Sequence, residues 1–373
     1  MAHAYTPGLK VTPRMTHSVI RMLPIKGNVS VKVGDTVDAD QIVAATYMPG
    51  DVYPLNMANL LAVPPKDVKD LMLHKEGDTI EEGEPLAQSA GIFGKFKKIY
   101  NSPYSGTIET VSDVTGQVIL RGPDIPVEVK AYMSGTITEV TPEIGCVVEG
   151  DVAFVQGIFG ICGETCGTIR FAVDTCDCTL TSAEISNDME GCIVIGGARI
   201  TVDAIEAARD VGVAAIVGGG MDDLDLKEFL GYDLGVAITG SEKMGITVVI
   251  TEGFGDIAMA TRTFDLLKRH EGDDASVNGA TQIRAGVMRP EIIIPLEEGA
   301  TEEEPDHTGG HLEFGKSLRI IRDPYFGMLG TVKSLPSDPH TLESGSKARV
   351  LEVELASGES VIVPRANVEL IEA

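Results

Sequence analysis

The sequence lacks several features that mark whole classes of protein. No stretch of its 373 residues approaches the roughly 20 consecutive apolar residues that a transmembrane helix requires. The N-terminal segment from Met1 to Met22 has no continuous apolar core of the kind found in a secretory signal peptide. Six cysteines are too few for a disulfide scaffold in a chain of this length. These absences predict a cytoplasmic protein with reduced thiols and no membrane insertion.

Basic residues and catalytic motifs are also scarce. There are 30 Lys and Arg residues against 56 Asp and Glu, a net charge of -26, which disfavours nucleic acid as a general partner because phosphates are repelled. Neither a Gly-x-Gly-x-x-Gly fingerprint nor a P-loop is present. No Ser-His-Asp or Cys-His arrangement stands out, and few histidines could serve as general bases. The sequence argues against an enzyme without deciding the question.

A repeated β pattern fills the chain from Lys26 to about Val173, where short alternating runs are separated by Gly, Asp and Pro. The phrase at 31–37, Val-Lys-Val-Gly-Asp-Thr-Val, returns at 74–80 as His-Lys-Glu-Gly-Asp-Thr-Ile. A second phrase, Ser-Gly-Thr-Ile, begins at Ser105 and again at Ser134. Gly-Asp steps suit tight turns, since Gly adopts positive φ and Asp accepts hydrogen bonds from local amides. We therefore expect a compact barrel with internal pseudo-symmetry.

One copy of this pattern carries a family resemblance. The run Gly-Asp-Thr-Ile at 77–80, followed by Pro-Tyr-Ser-Gly-Thr-Ile at 103–108, resembles the barrel-sandwich fold of biotinyl and lipoyl carriers. In that family a lysine on a hairpin tip carries the cofactor, and the resemblance implies that Lys95 would occupy this place. Gly94 and Phe96 depart from the Met-Lys-Met and Asp-Lys patterns of the carriers. An unmodified barrel used for packing or interaction is the favoured interpretation, and a modified Lys95 is the alternative.

Three apolar runs, each ending in glycine and followed by a helical pattern, occupy the middle of the chain. They are Cys192–Ile195, Ala214–Val217 and Ile246–Ile250. Continuous β-branched runs alternating with helices are typical of a mostly parallel sheet in an α/β domain. Ligands of such sheets usually bind where the strands end.

A candidate site for a small anion or nucleotide follows from this arrangement. The loop after the first run offers backbone amides, a cation and a helix N-terminus, which are the elements of an anion site. The later loops add a carboxylate and two guanidinium groups that could bind a carboxylate or phosphate bidentately. Tight-turn glycines, ion pairing within the protein and binding to the neighbouring barrel are the alternatives. The candidate residues are Gly196, Gly197, Arg199, Thr201, Glu252, Arg284 and Arg289.

Four cysteines lie close together in the sequence, at Cys162, Cys166, Cys176 and Cys178. Four thiolates would suit zinc or an iron–sulfur centre, although the spacing is not that of a standard zinc ribbon. The alternative is a set of buried core or turn cysteines, because free Cys buries readily. We expect no cofactor, with zinc or an iron–sulfur centre as the exception to be tested.

The last 58 residues carry a second resemblance. The run Arg-Asp-Pro-Tyr-Phe-Gly-Met-Leu-Gly-Thr-Val at 322–332 resembles the KOW motif of NusG-type transcription factors and several ribosomal proteins, and implies a small SH3-like barrel. Members of that family contact RNA, ribosomal protein or polymerase. From Lys316 to Ala373 seven basic residues stand against eight acidic ones, whereas a surface that follows phosphates is normally basic. We therefore expect Tyr325 and Phe326 to contact protein rather than RNA.

The predicted fold is α+β and multidomain. It comprises a β-rich barrel-sandwich-like domain with an insertion (1–180), an α/β domain with a mostly parallel sheet (181–296), an acidic linker (297–315) and a KOW-like SH3 barrel (316–373). The favoured function is a non-catalytic scaffold or adaptor that binds a protein partner or itself. The alternatives are a subunit that binds a small anion or nucleotide, with or without enzymatic activity, and a factor that associates with RNA, the ribosome or polymerase.

Overall fold

The computed structural model describes residues 9–89, 98–232, 244–281, 288–296, 312–321, 324–325, 328–336, 339–341, 347–355 and 358–370. Strands in several sheets dominate this part of the chain and the helices are few and short, so the fold is mixed α+β. None of the described helices is long and apolar enough to cross a membrane.

The N-terminal half is built from strands with a short helical segment near its middle. The helical segment consists of α1 (Met57–Leu61), a 3-10 turn (Pro65–Asp67) and α2 (Val68–Leu71). The strands are β1 (Val11–Met22), β2 (Asn28–Val29), β3 (Thr36–Val37), β4 (Ile42–Met48), β5 (Val52–Asn56), β6 (Thr79–Ile80), β7 (Pro85–Gln88), β8 (Ile99–Asn101), β9 (Gly106–Val111), β10 (Gln117–Arg121), β11 (Ile125–Lys130), β12 (Gly135–Thr141) and β13 (Gly145–Gln156).

The repeated phrases form two copies of one β motif, and one copy is inserted into the other. We call β2–β4 with β11–β13 the outer unit, and β5–β10 the inner unit. In the outer unit the Asp35 carboxylate accepts a hydrogen bond from the Lys32 N–H (2.8 Å). In the inner unit Asp78 accepts from Lys75 in the same way (2.7 Å). The two Gly-Asp turns are therefore built alike, as the repeat predicts.

The insertion replaces the tip of a hairpin. In the inner unit β7 pairs with β8, and in the outer unit β4 pairs with β11, each with a register shift near its base. The inner hairpin spans 89–98 between its strands, and residues 90–97, with Lys95, lie outside the described part. At the corresponding place the outer unit holds 49–124, which is the whole inner unit. Each unit has its own apolar core.

The middle of the chain adds eight strands and three helices. The strands are β14 (Phe159–Ile161), β15 (Glu164–Phe171), β16 (Ile193–Ile195), β17 (Arg199–Ile200), β18 (Ala215–Met221), β19 (Thr247–Phe254), β20 (Asp274–Asn278) and β21 (Glu291–Pro295). The helices are α3 (Val202–Val211), α4 (Asp223–Leu230) and α5 (Thr261–Arg269), with 3-10 turns at Ser182–Glu184 and Asn187–Met189.

These strands form one continuous sheet with the outer unit, in the order β14-β19-β18-β16-β15-β20-β21-β13-β12-β3. The central strands β15, β16, β18 and β19 are parallel, as the buried apolar runs predict. The connection is made by β13, where Val152 lies opposite Pro295 of β21. Since β14 and β15 already belong to this sheet, the chain enters it before residue 181, where the sequence places the domain boundary.

Local sequence explains where the helices begin and end. Helix α3 follows Thr201 and ends at Gly212, whose φ of 87° is easily adopted only by glycine. At the start of α4 the Asp222 carboxylate accepts the Leu224 N–H at 3.0 Å. Gly212 and Asp222 therefore set these two helix ends, whereas the Thr201 side chain makes no capping hydrogen bond.

Two strands are longer than their apolar runs. β18 includes Gly218–Gly220 and β19 continues to Phe254, although glycine normally weakens a strand. A Cβ on Gly219 would stand 2.3 Å from the Ile257 carbonyl oxygen. These glycines therefore allow the chain after β19 to lie directly on β18.

A separate antiparallel sheet, in the order β27-β26-β23-β22-β28, forms the C-terminal module, which we call the C-terminal barrel after the fold predicted for it. Its apolar core is centred on Leu318, Leu351 and Val353, all fully buried. The strands are β22 (Ser317–Ile320), β23 (Leu329–Ser334), β24 (His340–Thr341), β25 (Lys347–Ala348), β26 (Val350–Leu355), β27 (Ser360–Pro364) and β28 (Val368–Leu370), with a 3-10 turn at Arg365–Asn367. Most of the predicted acidic linker, 297–311, lies outside the described residues.

Candidate functional site: the joint between the parallel sheet and the C-terminal barrel

Three of the segments chosen from the sequence meet at one end of the parallel sheet. Arg199 on β17 is level with Gly220 of β18, which is level in turn with Gly253 of β19. The register therefore brings the surroundings of Gly197, Asp222 and Glu252 together, as a parallel sheet requires. Whether they form a ligand site depends on the partners that each group already has.

The glycine loop after β16 makes hydrogen bonds within the protein. The Gly196 N–H donates to the Val217 carbonyl at 2.7 Å, and the Ala198 N–H donates to the Cys178 carbonyl at 2.7 Å. A Cβ on Gly197 would stand 2.5 Å from the Thr175 carbonyl oxygen. The sequence predicts free amides here, but these two are used, and Gly197 allows the 175–178 segment to approach closely.

The cation of the loop also has an internal partner. Arg199 donates to the Asp225 carboxylate at 2.6 Å. The hydrogen bond that Arg199 donates to Asp225 and the nearby charges of Asp222 and Asp256 raise the pKa of Arg199. The Thr201 hydroxyl donates to the Leu180 carbonyl at 2.9 Å rather than capping α3. The positive charge at this end of the sheet is therefore compensated by carboxylates.

Glu252 lies inside β19 and is 2% exposed, not in a loop as the sequence suggests. One carboxylate oxygen accepts the Ala260 N–H, just before α5, at 3.0 Å. The other accepts a hydrogen bond from Arg319, which belongs to β22 of the C-terminal barrel. Arg319 also donates to the Glu252 backbone carbonyl at 2.6 Å. The carboxylate predicted to bind a ligand instead binds the barrel.

This contact extends into a buried network of two arginines and two glutamates. Arg319 lies 3.3 Å from Glu369 of β28, and Arg289 lies 3.4 Å from the same carboxylate. The side chains of Arg319, Glu252 and Glu369 are at most 3% exposed. Of the alternatives for Arg289, binding to the neighbouring barrel is the one observed. Arg284 lies outside the described residues.

A cleft of about 340 Å³ lies beside this joint, between the start of α5 and the barrel. Its walls are mainly apolar, and Arg262 stands at its rim without an ion pair to any described residue. Burial and the nearby charge of Arg269 lower the pKa of Arg262. Such a cleft suits an apolar group next to a negative charge. The lining residues are Ala260, Thr261, Arg262, Ser317, Leu318, Leu329, Gly330, Thr331, Glu354 and Leu355.

The predicted partner-binding aromatic residues are only partly visible. Tyr325 is partly buried and packs against the core of its own barrel, and Phe326 lies outside the described residues. The contact that the structure gives Tyr325 is therefore with its own barrel.

The structure does not bring the four candidate cysteines together. Cys162 and Cys166 lie near the start of β15, whereas Cys176 and Cys178 follow its end. From Cys166 to Phe171 the strand alone extends roughly 16 Å, because each residue advances the chain by about 3.3 Å. One metal ion cannot bind all four thiolates in this arrangement. Among the described residues no group of three or more His, Cys, Asp or Glu side chains is placed to hold a metal.

The residues that sequence reasoning missed are Arg319 and Glu369. In β22 Arg319 lies between Leu318 and Ile320, and in an alternating strand this position normally faces solvent. It is buried because another part of the chain covers that face, and no local pattern encodes this.

Comparison with known proteins gives no independent assignment of this joint. No protein-family model matches the chain, and no curated protein matches its sequence.

Proposed function

We propose that this protein is a non-catalytic scaffold or adaptor that acts through protein–protein interaction or self-assembly. One observation carries the proposal, namely that the C-terminal barrel occupies the end of the parallel sheet where an α/β protein would bind its ligand. Glu252 binds Arg319, Arg199 binds Asp225 and the glycine-loop amides bind carbonyls. Of the groups predicted to form an anion site, Glu252 joins the barrel to the sheet, and Arg199 and the loop amides are paired within the parallel-sheet part of the chain.

The proposal also gives the modules an identity. The outer and inner units are barrel-sandwich hybrids of the biotinyl/lipoyl-like kind, used for packing and interaction without a carried cofactor. The C-terminal barrel is an SH3-like KOW module that binds protein. Support comes from the hairpins that both N-terminal units share and from the five-stranded antiparallel sheet of the barrel.

The cleft beside the joint is the proposed partner surface. The partly exposed side chain of Leu329 offers an apolar contact, and Arg262 offers a cation with no ion-pair partner in the described part of the chain. A partner segment with one apolar side chain beside a carboxylate would match both features.

A ligand screen tests the non-catalytic half of the proposal. We expect no nucleotide or organic acid to raise the melting temperature, because the anion-binding groups are already paired. A stabilising ligand whose effect disappears in Arg199→Ala would support the rival, an anion-binding subunit. Tight RNA binding at low salt that weakens steeply with added salt would support the second alternative.

A pair of substitutions tests the partner surface. Leu329→Glu places a charge inside the cleft, whereas Met328→Glu places the same charge on the neighbouring residue, which is 47% exposed and does not line the cleft. A protein partner isolated with the wild type should be lost with the first variant and kept with the second. Equal recovery with both variants would exclude the cleft.

A further inference from the structure

Strand β1 is a long strand whose outer side has no hydrogen-bonding partner in the part of the chain that the structure describes. It runs from Val11 to Met22 and pairs only with β13, which uses its other side for β12 and β21. The next residue, Leu23, donates its N–H to the Ile144 carbonyl at 2.8 Å. In an antiparallel pair such bonds recur at every second residue. The odd-numbered residues from Met15 to Arg21 therefore form backbone hydrogen bonds with β13.

The residues with even numbers direct their N–H and C=O groups away from the sheet. They are Thr16, Ser18, Ile20 and Met22. Unpaired groups in a row of this length are a template for another strand, and folded proteins usually block them with charges or a covering loop. Here the four side chains are uncharged and exposed, and Ile20 and Met22 expose 67% and 58% of their surface.

The charge around β1 differs from that of the whole protein. The first acidic residue of the chain is Asp35, so all 56 Asp and Glu residues follow this strand. Arg14 and Arg21 on β1 are neutralised by Asp151 and Glu164 at 2.7 Å each. Glu149, which accepts a hydrogen bond from Ser18 at 2.8 Å, adds a carboxylate with no ion pair among the described residues, so the surface beside the open side is only weakly acidic on a protein with a net charge of -26.

We propose that two copies of this protein pair through the open side of β1 and form a two-fold dimer with one sheet continuous across both subunits. Antiparallel pairing is self-complementary, as a two-fold interface requires. Only a two-fold axis at Val19 lets the backbone groups of all four outward-directed residues form hydrogen bonds between the subunits. It places Ser18 opposite Ile20 of the partner subunit and Thr16 opposite Met22 of the partner subunit. The proposal rests on the scaffold function and gives its self-assembly a surface.

The charge distribution favours a second copy of this protein as the source of the strand that pairs with β1. Two molecules of charge -26 repel each other wherever their acidic surfaces meet, so association costs least at a weakly charged surface. Four uncharged side chains offer no ion pair to a strongly basic or strongly acidic partner strand. Added salt should therefore strengthen the dimer by screening the remaining repulsion.

Sedimentation velocity at increasing protein concentration tests the pairing. The wild type should approach twice the chain mass of 39.5 kDa, and more readily at high salt. Ile20→Pro removes an outward N–H without removing a bond to β13, and it should raise the dimer dissociation constant at least about tenfold. Val33→Lys, at an apolar residue of the outer unit that is 64% exposed, should leave it unchanged.

Hydrogen exchange provides a second readout that does not depend on the folding of a variant. In the wild type, the amides of Thr16, Ser18, Ile20 and Met22 should exchange more slowly as the dimer forms. The amides of the odd-numbered residues from Met15 to Arg21 should stay protected at every protein concentration. A monomer at all concentrations, or a dimer that Ile20→Pro leaves intact, would overturn the pairing while leaving the scaffold function standing. A dimer that binds and turns over a small molecule would overturn the scaffold function alone.

Discussion

Replacing Arg319 by alanine should release the C-terminal barrel from the parallel sheet. The change leaves Glu252 and Glu369, each 2% exposed, without the cation that compensates their charge. Removing one member of a buried ion pair typically costs about 3–5 kcal/mol, because the remaining charge stays buried without a partner. That cost corresponds to a change of between about 10²-fold and 10⁴-fold in the docking equilibrium.

Hydrogen exchange is the appropriate assay, since the chain has several modules and a single unfolding free energy is poorly defined for it. Amides of β19 and β22 should lose protection in Arg319→Ala, whereas those of the inner unit should not change. Arg349→Ala is the matched control, because Arg349 lies in the same barrel, is exposed and has no ion pair among the described residues. The opening free energies of the β19 and β22 amides could instead agree between Arg319→Ala and Arg349→Ala to within about 1 kcal/mol. In that case the joint would not depend on the buried network and the reasoning would fail.

Two further predictions concern the same end of the sheet. Gly197→Ala should destabilise the fold by about 1–3 kcal/mol, because its Cβ would stand 2.5 Å from the Thr175 oxygen. Gly150→Ala, whose nearest contact would be 3.1 Å, should cost less, and equal melting temperatures for the two would refute the steric argument. Hydrogen bonds from Thr201 and Ser182 lower the pKa of Asp203 to about 2. Because that pKa lies below the unfolded value of about 3.9, Asp203→Asn should lose stability at neutral pH, by less than about 1 kcal/mol for an exposed group, and the difference from wild type should vanish as the pH falls through about 2. A difference that stays constant from pH 7 to pH 2 would contradict this.

The sequence predicts the fold best where its signals are local. Continuous apolar runs identified the parallel strands β16, β18 and β19. The repeated Gly-Asp phrases indicated internal pseudo-symmetry, and the Asp35 and Asp78 turns are built alike. These features depend on neighbours within a few residues, so they can be read without knowing the rest of the fold.

The nesting of the units could not be read in the same way. The phrases at Gly34 and Gly77 follow one another in the chain and predict one pseudo-symmetric barrel, whereas the structure has two units with separate cores. The pairing of β4 with β11 instead closes the outer unit around 49–124. Long-range pairing of this kind depends on which strands meet in space, and the composition of either strand does not encode it.

The candidate site illustrates the same limit. The register of the sheet places Arg199 and Glu252 at one end, as expected. The sequence did not predict their ion-pair partners, Asp225 and Arg319. Gly279 shows how glycine serves close packing, because a Cβ there would stand 2.1 Å from the Ile161 oxygen. Glycine and charged residues serve both functional loops and close packing, and only tertiary contacts distinguish the two uses.

Native mass spectrometry of the protein purified from its source tests the central claim most directly, when followed by denaturation of the same sample. The account predicts subunits of unmodified mass, as copies of this chain with or without a protein partner, and no small molecule released on unfolding. A stoichiometric loss of a nucleotide-sized or acid-sized ligand on denaturation would contradict the claim that the end of the parallel sheet serves as a structural joint.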